Sequence, residues 1–579
     1  MNALTASAAI ASGRVQLANV RERALATAKV RILFVLGLFV FVTATAVVRI
    51  GQLGLFEDAP DRRSMAEALL PDRGEITDRN GVALARAFPS YSLWYNPKAL
   101  GSKGSPLVKT PEEVARALVG IFPEADYADL VKRLKAGKPC YLHKRVLPEE
   151  ANKVFALGEP ALEFPRENQR FYPQGSLAAN VLGFVDEEGK GHVGMEQVLE
   201  KRLLDPATRG QPTALSIDAR AQGALEDELG RGMMETNAKG AAGIVLDVDT
   251  GEVIALASLP SFNPNRSDLV FNDLVFNRVS NQVYELGSTF KPITVAAAID
   301  AGVITDLSVR YSAAPLNIGG FTIHDSHNFG VSLNVPEALI HSSNIVTAQV
   351  ADKLGGPALR RTMMQLGMNE RPTIELPARG FPLWPRGTDK QGDWARITTM
   401  TVSYGHGIAV TPLHLAAAYA ALVNGGVWRP ATLYKVDPAH VAPGRRVFKA
   451  STSARIRQLL RMIVVDGTGK KADASGFRVG GKTGSAEKPG AGGYRKTSLV
   501  ATFAAAFPMD KPRYVVIAML DEPQATAATS GQRTAAWNAA PIVGRVVPRI
   551  GPLLGVVPDA TRDVDISDIS PLVGNGEGE

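Results

Sequence analysis

The feature that most constrains this fold is an uncharged apolar run near the N-terminus, Ile32–Val48, closed by Arg49. As a helix the run would be roughly 26 Å long, and Ile50 with a snorkelling Arg49 extends it toward the thickness of a bilayer core. The 31 residues before it hold five basic side chains and one glutamate. Because positive residues stay in the cytoplasm, we predict a cytoplasmic basic tail over 1–31, a single transmembrane helix over 32–50, and the rest of the chain outside. A buried core helix is the alternative, and the long basic leader without a small-x-small site disfavours a cleaved signal peptide.

The charge distribution argues against nucleic acid as a partner. The chain has 579 residues and a net charge of +7, and its N-terminal tail alone holds four of those charges. The remainder is therefore almost neutral and has no basic excess of the kind a nucleic-acid groove needs. The single cysteine, Cys140, excludes a disulfide framework and a cysteine-built zinc site.

The rest of the chain divides into two regions with different sequence patterns. Residues 51–215 mix turns and short helices without a catalytic constellation, and the pair Asn80-Gly81 predicts a hairpin there. From Leu215 onward, two pairs of β-rich runs enclose a helical middle, which predicts an α+β domain whose antiparallel sheet is closed by both chain ends. The residues after Pro558 hold six acidic side chains against one basic side chain, Arg562, and are predicted to be flexible. The predicted strands and helices of this part are 241–248, 253–259, 498–507 and 514–520, and 289–300, 335–354 and 411–423.

The first chemical pattern is a serine three residues before a lysine, Ser288 and Lys291. On a helix this spacing puts both side chains on one face. Burial lowers the pKa of a lysine amine until it can take a proton from the serine, and a helix start offers N–H groups to a developing oxyanion. The alternative is a helix cap with a surface charge, because this pattern is common by chance.

Two further patterns carry a hydroxyl and an amine or amide. In the first, Ser342 and Asn344 can project from one turn into a cleft, with the serine relaying protons and the amide binding a peptide; a simple turn or cap is the alternative. In the second, Lys482 and the Thr483 hydroxyl on an edge strand could bind a carboxylate, and Gly484 would let a substrate backbone approach closely.

Two other motifs suggest chemistry that the context disfavours. Residues 476–483, GFRVGGKT, match a phosphate-binding loop, but that loop needs a strand before it and a helix after it, and the flanking sequence fits neither. His324 and His327 could ligate a metal, but no third ligand follows at a suitable spacing. We therefore expect no nucleotide, no metal and no organic cofactor.

In chain order, S-x-x-K, S-x-N and K-T-G resemble the signature of penicillin-recognising serine enzymes. Three further segments resemble the boxes of class B penicillin-binding proteins, and the likeness extends over roughly residues 30–555. One departure is Leu286, where many members have proline. The three boxes are Arg73–Gly81, Arg170–Pro173 with Gly183, and Gly191–Glu196.

The resemblance implies a serine β-lactamase-like transpeptidase domain over 216–557, with helices on both faces of an antiparallel sheet and an all-helical lobe. It also implies an elongated pedestal of the dimerisation type over 51–215, leaving 558–579 as the acidic flexible tail. In such an enzyme Ser288 is the acyl nucleophile and Lys291 its base. The other implied roles are proton relay for Ser342 and Lys482, amide binding for Asn344, carboxylate binding for Thr483 and Lys482, close approach for Gly484, and an oxyanion-hole N–H from Ser485 and Ser288.

The implied activity is peptidoglycan D,D-transpeptidation on the outer side of the cytoplasmic membrane, with D-Ala-D-Ala stem peptides as donors, a stem-peptide amine as acceptor and β-lactams as inhibitors. The compact pedestal and single anchor look most like the division-specific enzyme, whose partners are a membrane glycosyltransferase and other division proteins. An elongation-specific transpeptidase and a catalytically idle division scaffold are the alternatives. A β-lactamase or carboxypeptidase is disfavoured by the anchor and the class B boxes.

Overall fold

The computed structural model describes residues 24–49, 71–99, 107–186, 188–266, 273–386, 389, 392–490 and 493–574. It divides into two compact units, residues 1–70 and 71–579. Among the described residues, one helix is long and apolar enough to cross a membrane, α1 (Ala24–Arg49) of the first unit. It begins eight residues before the apolar run, while Ile50 and most of the basic tail lie outside the described residues.

The first part of the second unit is a sheet built around one long strand. That strand, β2, pairs with β1, β3, β4 and β5, and β1 pairs in parallel with β8. Short helices cover the sheet and enclose a separate apolar core around Leu93, Leu118 and Leu134. The elements are β1 Ile76–Thr77, β2 Ala83–Tyr95, α2 Pro111–Ile121, α3 Tyr127–Lys135, β3 Cys140–Val146, α4 Pro148–Phe155, β4 Leu162–Glu163, β5 Arg166–Phe171, α5 Ala179–Leu182, β6 Phe184–Val185, β7 Gly191–His192, α6 Gly194–Val198, α7 Glu200–Leu204 and β8 Thr213–Ala214.

The Asn80-Gly81 turn joins β1 to β2 as predicted and also attaches this region to the domain that follows it, which we call the catalytic domain because it carries the three motifs expected to act in catalysis. The Asp78 carboxylate accepts hydrogen bonds from the backbone N–H groups of Asn80 and Val82, each at 2.8 Å, and of Ala219 at 3.0 Å. Asn80 donates from its amide to Asp218 at 2.9 Å. Since Asp218 caps the first helix of the catalytic domain, the turn and that helix start are fixed together.

A buried ion cluster joins the three segments that the sequence singled out. Glu196, whose side chain is fully buried, pairs with Arg73 at 2.8 Å and with Arg170 at 2.6 Å, and Arg73 also pairs with Glu200 at 2.6 Å. Buried charges are stable only when they are paired in this way, and removing one partner would leave the other charges buried and uncompensated. The three boxes are therefore one structural unit.

The catalytic domain contains a five-stranded antiparallel sheet in the order β10 (Val253–Leu259), β9 (Gly240–Asp247), β19 (Tyr514–Asp521), β18 (Gly493–Phe507) and β17 (Gly480–Gly490). Its central pairing joins β9 to β19, so strands from both ends of the domain close the sheet as predicted. Alternate residues of β9 enter two different apolar cores, one on each face. The sheet and the two helices of one face are β9 Gly240–Asp247, β10 Val253–Leu259, β17 Gly480–Gly490, β18 Gly493–Phe507, β19 Tyr514–Asp521, α8 Ala219–Glu235 and α16 Ala539–Ile550.

The helical part lies between β10 and β17 and is centred on a fully buried helix, α14. The predicted helix over 335–354 is two helices, α10 and α11, separated by a turn that contains Ser342. The elements are α9 Lys291–Asp300, β11 Tyr311–Ser312, β12 Leu316–Ile318, β13 Phe321–Ile323, β14 Ser332–Leu333, α10 Val335–Ile340, α11 Asn344–Leu354, α12 Gly356–Gln365, α13 Arg396–Ser403, α14 Pro412–Val423, β15 Val427–Trp428, β16 Arg445–Arg446 and α15 Ala450–Val465.

The acidic C-terminal segment differs from the flexible tail predicted over 558–579. Residues 558–574, which we call the C-terminal strap, lie against the catalytic domain, and Ile569 is 1% exposed. Asp563 and Asp568 pair with Arg461 and Arg455 of α15. Two of the acids that suggested flexibility are thus paired with arginines far away in the sequence.

Candidate active site

Ser288 lies on a tight turn that leads into α9. Residues Gly287–Phe290 form a 3₁₀ turn, and the α-helix begins only at Lys291, so the predicted single helix over 289–300 has an irregular first turn. Gly287 adopts a φ of 57°, a conformation that favours glycine. The turn is held by the Thr289 hydroxyl, which donates to the Leu286 carbonyl at 2.9 Å. Ser288 itself is only partly buried.

A buried tyrosine supports this turn from behind. Tyr419, on α14, donates its hydroxyl to the Thr289 carbonyl at 2.8 Å and is fully buried. A buried tyrosine hydroxyl needs such a partner. Sequence reasoning missed Tyr419 because its only signal was a polar tip within an apolar helix.

Lys291 is fully buried and its amine faces the second motif. Its Nζ donates to the Ser342 Oγ at 3.1 Å and also to the Ser342 carbonyl. Burial, together with the nearby charge of Lys482, holds the pKa of Lys291 well below its usual value, and the carboxylate of Asp325 acts in the opposite direction. An amine with a lowered pKa is a competent proton acceptor near neutral pH.

The S-x-N motif occupies the break between α10 and α11. Ser342 has a φ of 62°, which ends α10 and turns its side chain toward Lys291. Ser343 caps α11 by accepting from the Val346 N–H at 3.1 Å. The Asn344 amide donates to the His324 carbonyl at 3.1 Å.

Asp325 anchors this motif and was missed by sequence reasoning. Its carboxylate accepts from the Ser343 hydroxyl at 2.6 Å, from the Asn344 N–H at 2.5 Å and from the Ile345 N–H at 3.1 Å. It lies at the N-terminus of α11, where a negative charge is stabilising. Its signal was present in the segment HDSH, where the two histidines drew attention to a metal instead.

The K-T-G motif lies on β17, at the edge of the sheet as predicted. Lys482 is fully buried, and burial lowers its pKa to about 7. Its Nζ donates to the Thr483 Oγ1 at 3.1 Å, and Thr483 shares a 2.8 Å hydrogen bond with the Thr468 hydroxyl. Thr468 is a further contact that sequence reasoning missed.

Gly484 brings this strand against the turn that carries Ser288. A Cβ added at Gly484 would lie 2.3 Å from the Leu286 carbonyl oxygen, so only glycine fits. The neighbouring Ser485 accepts a hydrogen bond from the Ala535 N–H at 3.0 Å. The structure thereby brings all three motifs to one place: Lys291 touches Ser342 directly, and Gly484 touches the Ser288 turn.

The two alternative motifs have ordinary explanations. Residues 480–490 form a strand, whereas a phosphate-binding loop would continue as a helix. His324 and His327 are both exposed. Among the described residues, no group of three histidine, cysteine, aspartate or glutamate side chains could hold a metal ion.

Two family profiles match this chain. The "Penicillin binding protein transpeptidase domain" covers residues 241–543, and the "Penicillin-binding Protein dimerisation domain" covers residues 68–207. The chain belongs to the penicillin-binding protein family. It is a class B member, a serine transpeptidase with an N-terminal dimerisation domain, and its α+β fold is the one that the sequence motifs predicted.

Named relatives agree with this assignment. The chain is 38% identical over 538 residues to "Probable peptidoglycan D,D-transpeptidase FtsI" of Caulobacter vibrioides, covering 91% of this chain and 89% of the relative. It is 30% identical over 542 residues to "Peptidoglycan D,D-transpeptidase FtsI" of Escherichia coli, covering 90% of each. Its fold resembles that of penicillin-binding protein 3 from Mycobacterium tuberculosis in complex with ampicillin, with a TM-score of 0.66, 24% identity, and coverage of 86% of this chain and 99% of the other.

Proposed function

We propose that this penicillin-binding protein cross-links peptidoglycan stem peptides at the division septum through an acyl-enzyme on Ser288. The observation that carries the proposal is the contact between Lys291 and Ser342 beside the Ser288 turn. A fully buried amine with a lowered pKa, placed one helical turn from a partly exposed serine, is the arrangement that activates a hydroxyl nucleophile.

In the proposed reaction, Ser288 Oγ attacks the carbonyl between the two terminal D-alanines while the neutral Lys291 amine takes its proton. The backbone N–H groups of Ser288 and Ser485 stabilise the oxyanion. The proton then returns to the departing D-Ala nitrogen through Ser342 and Lys482. An amine from a second stem peptide attacks the ester, releases Ser288 and forms the cross-link.

The remaining site residues are proposed to hold the donor peptide. Asn344 binds its amide, and Thr483 with Lys482 binds the terminal carboxylate. Gly484 lets the edge strand lie directly against the Ser288 turn, so a peptide bound along this strand would lie beside the nucleophile. A pKa of about 7 leaves Lys482 partly charged at neutral pH, which suits both an anion-binding and a proton-relay role.

The activity is tested with a soluble D-Ala-D-Ala stem peptide and an amine acceptor, by measuring D-Ala release and the cross-linked product. We expect wild-type protein and a Ser308→Ala control to form the product, because Ser308 is exposed and its hydroxyl bonds locally, to Asp306 at 2.7 Å. Ser288→Ala should form none. Release of D-Ala without any cross-linked product would instead indicate a carboxypeptidase.

The septal role is supported by the single predicted anchor and by the likeness to relatives named FtsI. We propose a single-pass protein with a cytoplasmic N-terminus, working with a membrane glycosyltransferase and other division proteins. Depletion should then give filaments with unsplit septa, whereas swollen round cells would indicate elongation. Normal division supported by Ser288→Ala would indicate an idle scaffold.

Protease added to spheroplasts should remove the catalytic domain if the orientation is correct.

A further inference from the structure

We propose that the C-terminal strap is a positioning element for acylation, which fixes the K-T-G strand and the S-x-N turn relative to one another. The inference rests on the proposed roles of those two motifs. It starts from the path of the strap, which begins beside the root of β17 and ends beside the root of α10. These two elements carry Lys482 and Ser342.

At its first end the strap is bonded to the segment that leads into β17. The Asp559 N–H donates to the Gly476 carbonyl at 2.8 Å, and the Asp559 carbonyl accepts from Arg478 at 3.1 Å. Arg478 lies two residues before the strand and is 5% exposed. The start of the strand is therefore fixed by the strap backbone and not only by its sheet neighbour β18.

At its other end the strap holds the start of α10. Asn334 caps this helix by accepting from the Glu337 N–H at 2.9 Å, and its amide donates to the Leu572 carbonyl at 2.6 Å. The helix has only six residues and ends at Ile340. A shift at its capped end is thus passed almost directly to Ser342.

Between these ends, one arginine links the strap to the strand. Arg461, on α15, donates from Nε to Asp563 at 2.8 Å and from Nη1 to the Val479 carbonyl at 2.9 Å. Val479 immediately precedes β17, and the same Nη1 also bonds to Asp473 at 2.8 Å. With its side chain 10% exposed, the guanidinium has a fixed orientation that depends on Asp563.

The relative position of Ser342 and Lys482, which the strap connects through their supporting elements, matters for the reaction. Ser342 contacts Lys291 directly, and the charge of Lys482 acts on the same amine, yet the two residues lie on elements that are separate in sequence. A displacement of about 1 Å at a catalytic group reduces the rate by up to about 100-fold. An element that touches the roots of both supports therefore limits that displacement.

The experiment compares Asp563→Asn with Asp565→Asn in the full-length protein. Both substitutions remove one negative charge from the strap, but within the described residues the Asp565 carboxylate bonds locally, to Ser567, whose N–H lies at 2.9 Å. Saturation kinetics with a fluorescent penicillin separate the maximal acylation rate from the half-saturating concentration. We expect Asp563→Asn to lower the maximal rate at least fivefold with little change in half-saturation, Asp565→Asn to match wild type, and Asp563→Glu to restore most of the rate.

Amide hydrogen exchange on the same proteins supplies a readout that needs no catalysis. Faster exchange in β17 and α10 of Asp563→Asn, and not of Asp565→Asn, is the expected result. An unchanged maximal rate with unchanged exchange in both elements overturns the strap proposal. Failure of wild-type protein to acylate would instead refute the proposed function, and the exchange data would still decide whether the strap positions the two elements.

Discussion

Replacing Asp325 by asparagine should slow acylation and also shift its pH dependence. The carboxylate accepts three hydrogen bonds at 2.5–3.1 Å from the turn that carries Ser342 and Asn344. Bonds to a charged acceptor contribute about 1 kcal/mol more than neutral ones, so the substitution weakens the turn by about 2–3 kcal/mol. If half of that loss is expressed in the transition state, the maximal acylation rate falls about tenfold.

The electrostatic effect of the same substitution has a definite sign. Asp325 raises the pKa of Lys291, so its removal lowers that pKa further. A lower pKa means that the amine is neutral, and able to accept a proton, at a lower pH. The rising limb of the rate profile should therefore move toward acid while its plateau drops.

Stopped-flow acylation by a fluorescent penicillin between about pH 5 and pH 9 measures both effects. Asp306→Asn is the matched control, because Asp306 is exposed and its carboxylate bonds locally, to Ser308. A plateau equal to wild type would refute the positioning role of Asp325. A limb shifted toward alkaline pH would refute its electrostatic action on Lys291.

Three further outcomes concern buried groups of the site. The pKa of Lys482 is about 7 in the folded protein against 10.5 when unfolded, so the free energy of unfolding is unaffected above pH 10.5 and falls as the pH drops to 7, because only the unfolded state gains the proton. Lys482→Met should therefore be more stable than wild type by up to about 5 kcal/mol at pH 6 and by much less at pH 9, as measured by urea unfolding. Gly484→Ala places a Cβ 2.3 Å from the Leu286 carbonyl oxygen and should lower the acylation rate at least 100-fold. The control Gly120→Ala, at an uncrowded helix position, should leave the acylation rate unchanged and raise the free energy of unfolding by about 0.5–1 kcal/mol, and equal acylation rates for the two variants would contradict the close approach. Tyr419→Phe removes one buried hydrogen bond, so it should lower the free energy of unfolding by about 1 kcal/mol and slow acylation. An unchanged acylation rate would argue against the support that Tyr419 gives to the Ser288 turn.

The sequence predicted four strands of the sheet and the spacing of Ser288 and Lys291, because both depend on local patterns. Strand runs are contiguous, and Ser288 and Lys291 are related by one turn of helix. The joint order of the motifs supplied the long-range arrangement that no single pattern could give.

The features that were not predicted depend on contacts between distant residues. Residues 335–354 were predicted as one helix although Ser342 and Asn344 were also expected on a turn, and the contact with Asp325 that holds the break at this turn was not predicted. The strap read as a disordered acidic tail because Asp563 is 102 residues from its partner Arg461. The amino-acid composition gives the number of charged side chains, but it does not show which of them form ion pairs.

The most direct measurement of the central claim is the site of covalent attachment after reaction with penicillin. Intact mass spectrometry followed by peptide mapping should show one penicilloyl group, located on Ser288, and none on Ser288→Ala. An adduct on Ser342 or elsewhere, or a Ser288→Ala protein that is still labelled, would contradict the assignment of the nucleophile and with it the mechanism proposed for this site.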